Sequence, residues 1–233
     1  MNRSPALALV VLLALTGCAG SPTATPSVSP APPSSQPTLE PSPSATPTPT
    51  QTALDDLIVT PQGIETVTIG SPVPAEPAAT AVVTYDDDRC TVFGAVGEPF
   101  VGLWTPNYPA TDEYTDGPGA FTVRTQGAVE DGAVTRIWVW SPKITTETGI
   151  HMGSTREEVE AAYPDPSYLV HEYATDIYVI DEGAGRMVIE VVREAAGGVT
   201  EADIDKVYML GVQPKSEKVV SFANVNGTAG CGE

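Results

Sequence analysis

Side chains suited to acid–base or nucleophilic chemistry are few in this 233-residue sequence. The two histidines, His151 and His171, could carry protons or bind a metal, but His151 directly precedes a predicted helix and His171 lies in a tyrosine-rich connection. No serine stands in a nucleophile elbow, and the sequence contains no S-x-x-K, H-E-x-x-H or phosphate-binding glycine loop. The sequence therefore predicts a protein that is not an enzyme and that binds no cofactor, with a hydrolase as the alternative.

The sequence is strongly acidic. Its 30 acidic and 11 basic residues give a formal net charge of −19, which repels nucleic acid and anionic lipid surfaces. Asp86, Asp87 and Asp88 could offer oxygen ligands to a hard cation, but they lack the alternating spacing and the turn glycine of an EF-hand loop. We interpret them as a solvated charge run and predict no metal site. The acidity could also suit cationic partners or divalent ions, but we favour solubility as the explanation.

Aromatic residues provide the candidate binding surface. At 136–140, alternation along a predicted strand places Ile137 and Val139 on one face of a sheet and Trp138 and Trp140 on the other. If the second face is open, these tryptophans would be anchors for a partner; if it is covered, they belong to the core. The long loop around 105–119 adds further aromatic residues. The full set of candidate binding residues is Trp104, Tyr108, Trp138, Trp140, Tyr178 and Tyr208.

The amino terminus has the layout of an export signal. Arg3 is followed by an apolar run at 6–15, which is too short to span a bilayer, and then by Thr16, Gly17 and Cys18. The four residues Leu15-Thr16-Gly17-Cys18 resemble the lipobox of bacterial lipoproteins. That resemblance implies a signal peptide at 1–17, cleavage before Cys18, a diacylglyceryl thioether on Cys18 and often a further chain such as palmitate. Two or more acyl chains anchor a protein stably to a membrane. An ordinary secretory signal is the alternative.

A low-complexity segment follows the predicted lipid anchor. From 19 to 53 the chain contains ten prolines and fourteen serines or threonines, and Glu40 is its only charge. Such a composition cannot form a core, and frequent proline favours an extended polyproline II conformation. We therefore predict that residues 18–53 are a disordered, lipid-anchored stalk.

Cysteine usage predicts one disulfide. With Cys18 lipidated, Cys90 and Cys231 remain, and an oxidising extracytoplasmic space makes a disulfide the natural use of an isolated pair. This bond would attach a carboxy-terminal tail at 213–233 to the folded part. Free or metal-bound thiols are the alternative, but two cysteines and two scattered histidines make a poor zinc site.

Two segments of the remaining chain resemble each other. Residues 127–138 read GAVEDGAVTRIW and residues 197–208 read GGVTEADIDKVY, an ungapped match that pairs Trp138 with Tyr208. Upstream, the motifs at 63–64 and 69–71 match those at 149–150 and 152–154. The repeated order predicts two modules, at 54–143 and 144–212, of which the first is longer by the loop around 105–119.

The second module gives the clearer secondary structure. Ser154 is expected to cap a helix, Glu157 to complete a capping box, and Pro164 to end the helix. Strands are expected at 177–180, 187–192 and 206–210, the first two forming a hairpin around 182–185. The first module is expected to have a helix at about 78–85 and strands near 91–96 or Leu103, at 121–125 and at 135–140. The predicted fold class is α+β: two tandem modules, each a helix with a three-stranded antiparallel sheet, forming one domain.

This arrangement resembles the tandem modules of the BamE/SmpA and β-lactamase-inhibitor-protein-like group. The resemblance covers most of residues 60–212, and its best local signature is the segment GIHMGSTREEV at 149–159. It implies a module that binds or organises other envelope proteins through its sheet, with no catalytic residues to transfer.

These features predict a cell-envelope lipoprotein, attached by its lipid to the extracytoplasmic face of the cell membrane. We expect a non-enzymatic module that binds or scaffolds an envelope protein partner and does not bind nucleic acid. The alternative is a lipoprotein that binds a small molecule, a wall fragment or a cation. An enclosed pocket would favour the alternative, whereas an open aromatic sheet face would favour the protein partner. The oligomeric state stays open.

Overall fold

Short β-branched and aromatic segments separated by turn residues build most of this protein. The computed structural model describes residues 50–90, 102–109, 119–196 and 199–219. Within these ranges there are twelve strands: β1 Ile58–Thr60, β2 Gly63–Ile64, β3 Val67–Thr68, β4 Val83–Asp86, β5 Leu103–Pro106, β6 Phe121–Thr125, β7 Val134–Val139, β8 Thr145–Thr146, β9 Tyr168–Glu172, β10 Thr175–Glu182, β11 Gly185–Val192 and β12 Val207–Pro214. The same ranges contain one α-helix, α1, at Arg156–Ala162, and 3₁₀ turns at Leu54–Asp56, Gln126–Ala128 and Glu201–Asp203.

The strands form two sheets, so the predicted α+β class was wrong and the fold is mainly β. The larger sheet is antiparallel, with eight strands in the order β4-β5-β6-β7-β12-β11-β10-β9. The smaller sheet is mixed, with the order β3-β2-β1-β8, because β1 pairs with β8 in parallel and with β2 in antiparallel orientation. The structure therefore does not contain two helix-plus-three-strand modules side by side.

The helix predicted at about 78–85 does not form. Residues 78–82 lie in a turn and an irregular segment, and β4 begins at Val83. Pro77 accepts two turn hydrogen bonds, from Thr80 and Ala81. The β-branched pair Val83 and Thr84 favours a strand over a helix. The strand predicted at 91–96 lies outside the described residues.

The main core lies between the two sheets. Phe121, Ile137 and Leu210 of the larger sheet are fully buried in one cluster with Val59 of the smaller sheet and Val159 of α1. Because the sheet alternates side chains between its faces, each of these strands also sends residues to the opposite face. The small sheet and the helix together cover one face of the eight-stranded sheet.

The opposite face of the large sheet has its own apolar cluster, which includes Trp138. Its other buried members are Ile177, Val179, Val188, Met209 and Val219. Val219 follows β12, so the chain turns back there and packs on this face. The Arg186 guanidinium and the Gln213 amide donate hydrogen bonds to the Glu217 carbonyl at 3.0 and 3.3 Å, which holds the returning segment in place.

The two halves of the chain meet at the centre of the large sheet, where β7 pairs with β12. Gly70 and Ser71 exchange backbone hydrogen bonds with Val134, and Gly153 and Ser154 do the same with Val207. Val134 is therefore the structural counterpart of Val207. The sequence alignment that paired Trp138 with Tyr208 differs from this correspondence by three residues. The upstream match of the repeat therefore describes equivalent positions, whereas the downstream match was out of register.

The start of α1 is also displaced by one residue from the prediction. Thr155 is the N-cap, and its side chain and that of Glu158 form the capping box. The hairpin expected around 182–185 does form, with Glu182 paired to Gly185. At the predicted end of the stalk, Gln51 and Thr52 are hydrogen-bonded to the folded part, so residues 51–52 belong to the domain.

Candidate functional site

A cleft of about 570 Å³ lies at the β4 edge of the large sheet. That volume is within the range typical of small-molecule sites. One wall is the loop at 74–81, another is formed by β4 and β5, and Glu130 from the β6–β7 connection closes a third side. The lining residues are Pro74, Ala75, Glu76, Ala78, Ala81, Val83, Thr84, Tyr85, Asp87, Trp104, Asn107 and Glu130. We call this the aromatic–acidic cleft.

Two aromatic rings form the apolar surface of the aromatic–acidic cleft. Tyr85 and Trp104 are directly opposite each other in the β4–β5 pair, and their ring centroids are 5.4 Å apart in an edge-to-face arrangement. A side chain at Gly102 would come within 2.0 Å of the Tyr85 hydroxyl, so glycine there allows the tyrosine ring its position. The Trp104 indole N–H is buried and has no hydrogen-bond partner among the described residues. The indole is therefore held by packing rather than by a polar contact.

Three carboxylates line the same cleft: Glu76, Asp87 and Glu130. Within the described part of the chain, none of them makes a side-chain hydrogen bond or an ion pair. Among the described residues, no basic side chain lines the cleft. Burial raises the pKa of Tyr85, and the negative charges of Asp87 and Glu130 raise it further. The cleft thus has a negative potential that reaches its aromatic surface.

Asn107 connects the cleft to the start of the domain. Its side-chain amide donates to the carbonyls of Ala78 and Ala81, at 2.8 and 2.9 Å, and so fixes the loop that forms one wall. The Gln51 amide donates to the carbonyls of Ala81 and Asn107 from the chain that enters the domain. The wall of the cleft is therefore held by side-chain hydrogen bonds to backbone carbonyls of the domain itself.

Of the six predicted binding residues, only Trp104 lines the aromatic–acidic cleft. Tyr108 follows Asn107, but its ring packs on the main core and its hydroxyl donates to the Thr52 carbonyl at 3.0 Å. Burial, with a smaller contribution from Glu65, raises the pKa of Tyr108 to about 12. Tyr208 is half-buried and lines a smaller cleft of about 280 Å³ with Pro142 and Met152.

Trp138 and Trp140 do not form an open face. Trp138 is only 2% exposed and belongs to the apolar cluster of the second sheet face, while Trp140 is half-buried against the same cluster. Of the two alternatives that the sequence left open for this face, the structure supports the covered one, because the segment after β12 returns and places Val219 on it. These two residues contribute mainly to packing.

Tyr178 is buried in a polar network beneath α1. Its hydroxyl donates to Glu160 at 2.9 Å and accepts a hydrogen bond from Arg156 at 3.3 Å. Arg156 also contacts Asp176 at 2.8 Å, and Asp176 lies 2.5 Å from Nδ1 of His171. These contacts attach the helix and the edge strand β9 to β10. Tyr178 and His171 therefore have structural partners, as His151 does through the Met152 carbonyl at 2.7 Å.

Of the three cysteines, Cys90 lies among the described residues. Cys90 is buried and disulfide-bonded. Cys18 and Cys231 lie outside the described residues, so lipidation of Cys18 and the pairing of Cys90 with Cys231 stay predictions. In the described ranges, no group of three or more histidine, cysteine or acidic residues is arranged to hold a metal ion, and no helix there is long and apolar enough to cross a membrane.

The sequence predicted one residue of the cleft, Trp104. The sequence predicts Trp104 as a binding residue because large aromatics near a long loop suit recognition, and Trp104 does line the site. It gives no such signal for Tyr85, Asp87 and Glu130, because β4, β5 and the β6–β7 connection come together only through the sheet pairing. The run at 86–88 was interpreted as a solvated charge run, and only Asp87 of that run lines the cleft.

Comparisons with known proteins leave the family open. No protein-family profile matches the chain, and no curated protein matches it either. One similar solved structure is described as the uncharacterized protein yfeY from Escherichia coli, with 12% identity and a TM-score of 0.37, covering 67% of this chain and 99% of that one. A TM-score at this level carries no argument about fold or function. The resemblance to tandem BamE/SmpA-like modules finds no support here.

Proposed function

We propose that this chain is a lipid-anchored, non-enzymatic binding protein of the cell envelope, and that the aromatic–acidic cleft is its ligand site. The observation that carries the proposal is that one cleft of small-molecule size brings together an aromatic pair and three carboxylates that have no ion-pair partner among the described residues. The lipobox-like segment ending at Cys18 supports attachment to the extracytoplasmic face of the membrane. Of the two functions considered from the sequence, the cleft favours ligand binding.

Photo-crosslinking in cells tests the ligand site. Thr84 is exposed, lies in β4 and lines the cleft, so a benzoylphenylalanine introduced there would contact a bound ligand. We expect a defined mass adduct at residue 84 after irradiation. The same label at Glu147, which is exposed and does not line the cleft, is the control. Equal labelling at both positions, or none at 84, would contradict a ligand site in the cleft.

Lipid anchoring is a separate prediction. Replacing Cys18→Ala removes the thiol that would carry the diacylglyceryl group, so we expect the protein to leave the membrane fraction and to partition into the aqueous phase of a detergent extraction. A Cys90→Ala variant, which keeps Cys18, is the control and should stay in the membrane fraction. Unchanged partitioning of the Cys18 variant would rule out the lipoprotein assignment.

A protein partner is the second candidate function, and the β9 edge favours it. Tyr168, Leu169 and Tyr173 are the large exposed apolar residues in and next to this strand, at 38%, 42% and 46% exposure. β9 is the last strand of the large sheet, and an edge strand can pair with an extended segment of another protein. A crosslinking label at Leu169 should capture an envelope protein if this function holds. Capture at 169 with no adduct at 84 would favour the partner over the ligand.

A further inference from the structure

We infer that the ligand of the aromatic–acidic cleft is an organic cation: a quaternary or protonated ammonium group attached to a small apolar body. This inference rests on the proposed function and names the class of ligand for the same site. Three features of the cleft support it: the charges that line the cleft, its two rings and the apolar side chains around them.

The cleft is lined by negative charge. Glu76, Asp87 and Glu130 line it, and the described lining contains no basic residue. Asp87 and Glu130 are exposed and Glu76 is half-buried, so water and salt screen them in part. Their combined field still acts on the cleft, since two of them act on Tyr85. A cation entering the cleft would be attracted, and an anion of the same size would be repelled.

The aromatic pair can also attract a cation. The face of a tryptophan or tyrosine ring attracts a cation through its quadrupole, and aromatic surfaces are a recurring means of recognising quaternary ammonium groups. Tyr85 and Trp104 are held edge-to-face, so their ring planes are inclined and form a corner rather than a flat surface. A rounded, weakly hydrated ammonium group fits such a corner better than a strongly hydrated metal ion, which prefers a shell of oxygen ligands.

The rest of the cleft is partly apolar. Ala75, Ala78, Ala81 and Val83 line it with short apolar side chains. These residues would contact the uncharged part of a ligand, while the carboxylates at the rim contact its charge. The volume of about 570 Å³ exceeds that of a bare ammonium group, which is why we infer an apolar body attached to it.

A pair of matched probes tests the inference. Choline and 3,3-dimethyl-1-butanol have nearly the same shape, but only choline is charged. Each gives a nine-proton methyl signal that is suitable for saturation-transfer NMR on the full-length protein purified in neutral detergent. We expect choline to bind about tenfold more tightly than the alcohol, because only choline gains the cation–π and carboxylate attraction. Raising the salt concentration should weaken choline alone.

Matched charge variants locate the binding. The double variant Asp87→Asn with Glu130→Gln should weaken choline about fivefold or more and leave the alcohol unchanged, because it removes two negative charges without changing shape. The control double variant Glu147→Gln with Glu182→Gln removes the same net charge at exposed residues that do not line the cleft. It should bind choline as the unaltered protein does. Trp104→Leu should also weaken choline binding. Both charge variants should stay folded.

The outcomes separate the two proposals. Equal binding of both probes, unaffected by the Asp87 and Glu130 changes, would overturn the cation class and leave the cleft as a ligand site. Binding of neither probe, together with an adduct at residue 84 in cells, would do the same. Binding of neither probe with no such adduct would overturn both proposals. Choline binding that the control variant weakens as much as the cleft variant would also reject the inference.

Discussion

At the residue scale, Arg156 joins the helix to the large sheet. Its guanidinium contacts Asp205 at 2.7 Å and Asp176 at 2.8 Å, and donates to the Val192 carbonyl at 3.3 Å. The two carboxylates differ in environment, because the Asp176 side chain is 8% exposed and that of Asp205 is 64% exposed. A single arginine thus makes one sheltered and one solvated ion pair, which allows the two to be compared directly.

The first prediction uses this difference. Asp176→Asn should lower the free energy of unfolding by about 2–4 kcal/mol, since it leaves Arg156 and His171 without their shared carboxylate in a sheltered site. Asp205→Asn, the matched control on the same guanidinium, should cost less than about 1 kcal/mol, because solvent already screens that pair. Urea denaturation monitored by circular dichroism measures both. Equal losses would show that burial does not determine the strength of these contacts.

The second prediction concerns pH. Burial alone would raise the pKa of Asp176, but hydrogen bonds with His171 and Arg156 outweigh it and hold the pKa below its usual value. Contacts with Arg186 likewise lower the pKa of Asp181. Since these groups are more acidic in the folded than in the unfolded chain, they stabilise the fold above the unfolded pKa of about 4. That stability is lost as the pH falls through the lowered folded values.

We therefore expect the unfolding free energy to decrease between about pH 5 and pH 2. The double variant Asp176→Asn with Asp181→Asn should start less stable and show a shallower decrease over the same range. Denaturation midpoints at a series of pH values measure this slope. Parallel curves for the two proteins would mean that other groups control the acid response.

At the element scale, α1 shows why a capping pattern can be displaced. Both Ser154 and Thr155 are followed three residues later by a glutamate, so the sequence offers two capping boxes. Ser154 is engaged elsewhere: its carbonyl accepts a hydrogen bond from the Val207 amide at 2.7 Å, and its hydroxyl accepts one from the His151 amide at 3.2 Å. Thr155 is therefore the N-cap, because Ser154 is paired with a strand about fifty residues further along the chain.

The third prediction tests that cap. Thr155→Ala should lower stability by about 1 kcal/mol, since the amide of Glu158 loses its acceptor at the first turn. Glu157→Gln alters the glutamate of the unused box and should change stability by less than about 0.5 kcal/mol. Thermal and urea unfolding of the three proteins would compare them. A larger effect at Glu157 than at Thr155 would return the cap to Ser154.

The elements that the sequence predicted correctly are those with strong local patterns. β6, β7, β10 and β11 are rich in β-branched residues, and the β10–β11 turn contains glycine on both sides of Ala184. The small sheet was missed because β2, β3 and β8 are two residues long and have no measurable periodicity. The repeat was out of register because β7 and β12 are aligned by tertiary hydrogen bonds rather than by sequence similarity. The cleft was missed for the same reason, since its walls are far apart in the chain.

At the scale of the whole molecule, the large sheet is continuous across both halves of the chain. β7 from the first half and β12 from the second are paired around Trp138 and Gly211, with Ile137 opposite Val212 and Val139 opposite Leu210. Each half contributes four strands to the sheet. The first half ends at the edge strand β4, and the second half ends at the opposite edge strand, β9. The aromatic–acidic cleft is therefore at the β4 end and the exposed β9 edge at the other, so the two candidate surfaces can be altered independently.

The final prediction concerns the residue at the centre of this sheet. Trp138 lies where the halves join, packs with residues of β10, β11 and β12, and is 2% exposed. Trp138→Ala should therefore lower the unfolding free energy by about 3–5 kcal/mol, the usual cost of removing a buried tryptophan. Trp140→Ala, on the same face but half-buried, should cost about half as much, because less apolar surface returns to water. Far-UV circular dichroism in urea avoids the fluorescence change that either substitution causes. If Trp138→Ala left stability within about 1 kcal/mol of the unaltered protein, the join between the halves would not depend on this face, and the tryptophan would again be a candidate for binding.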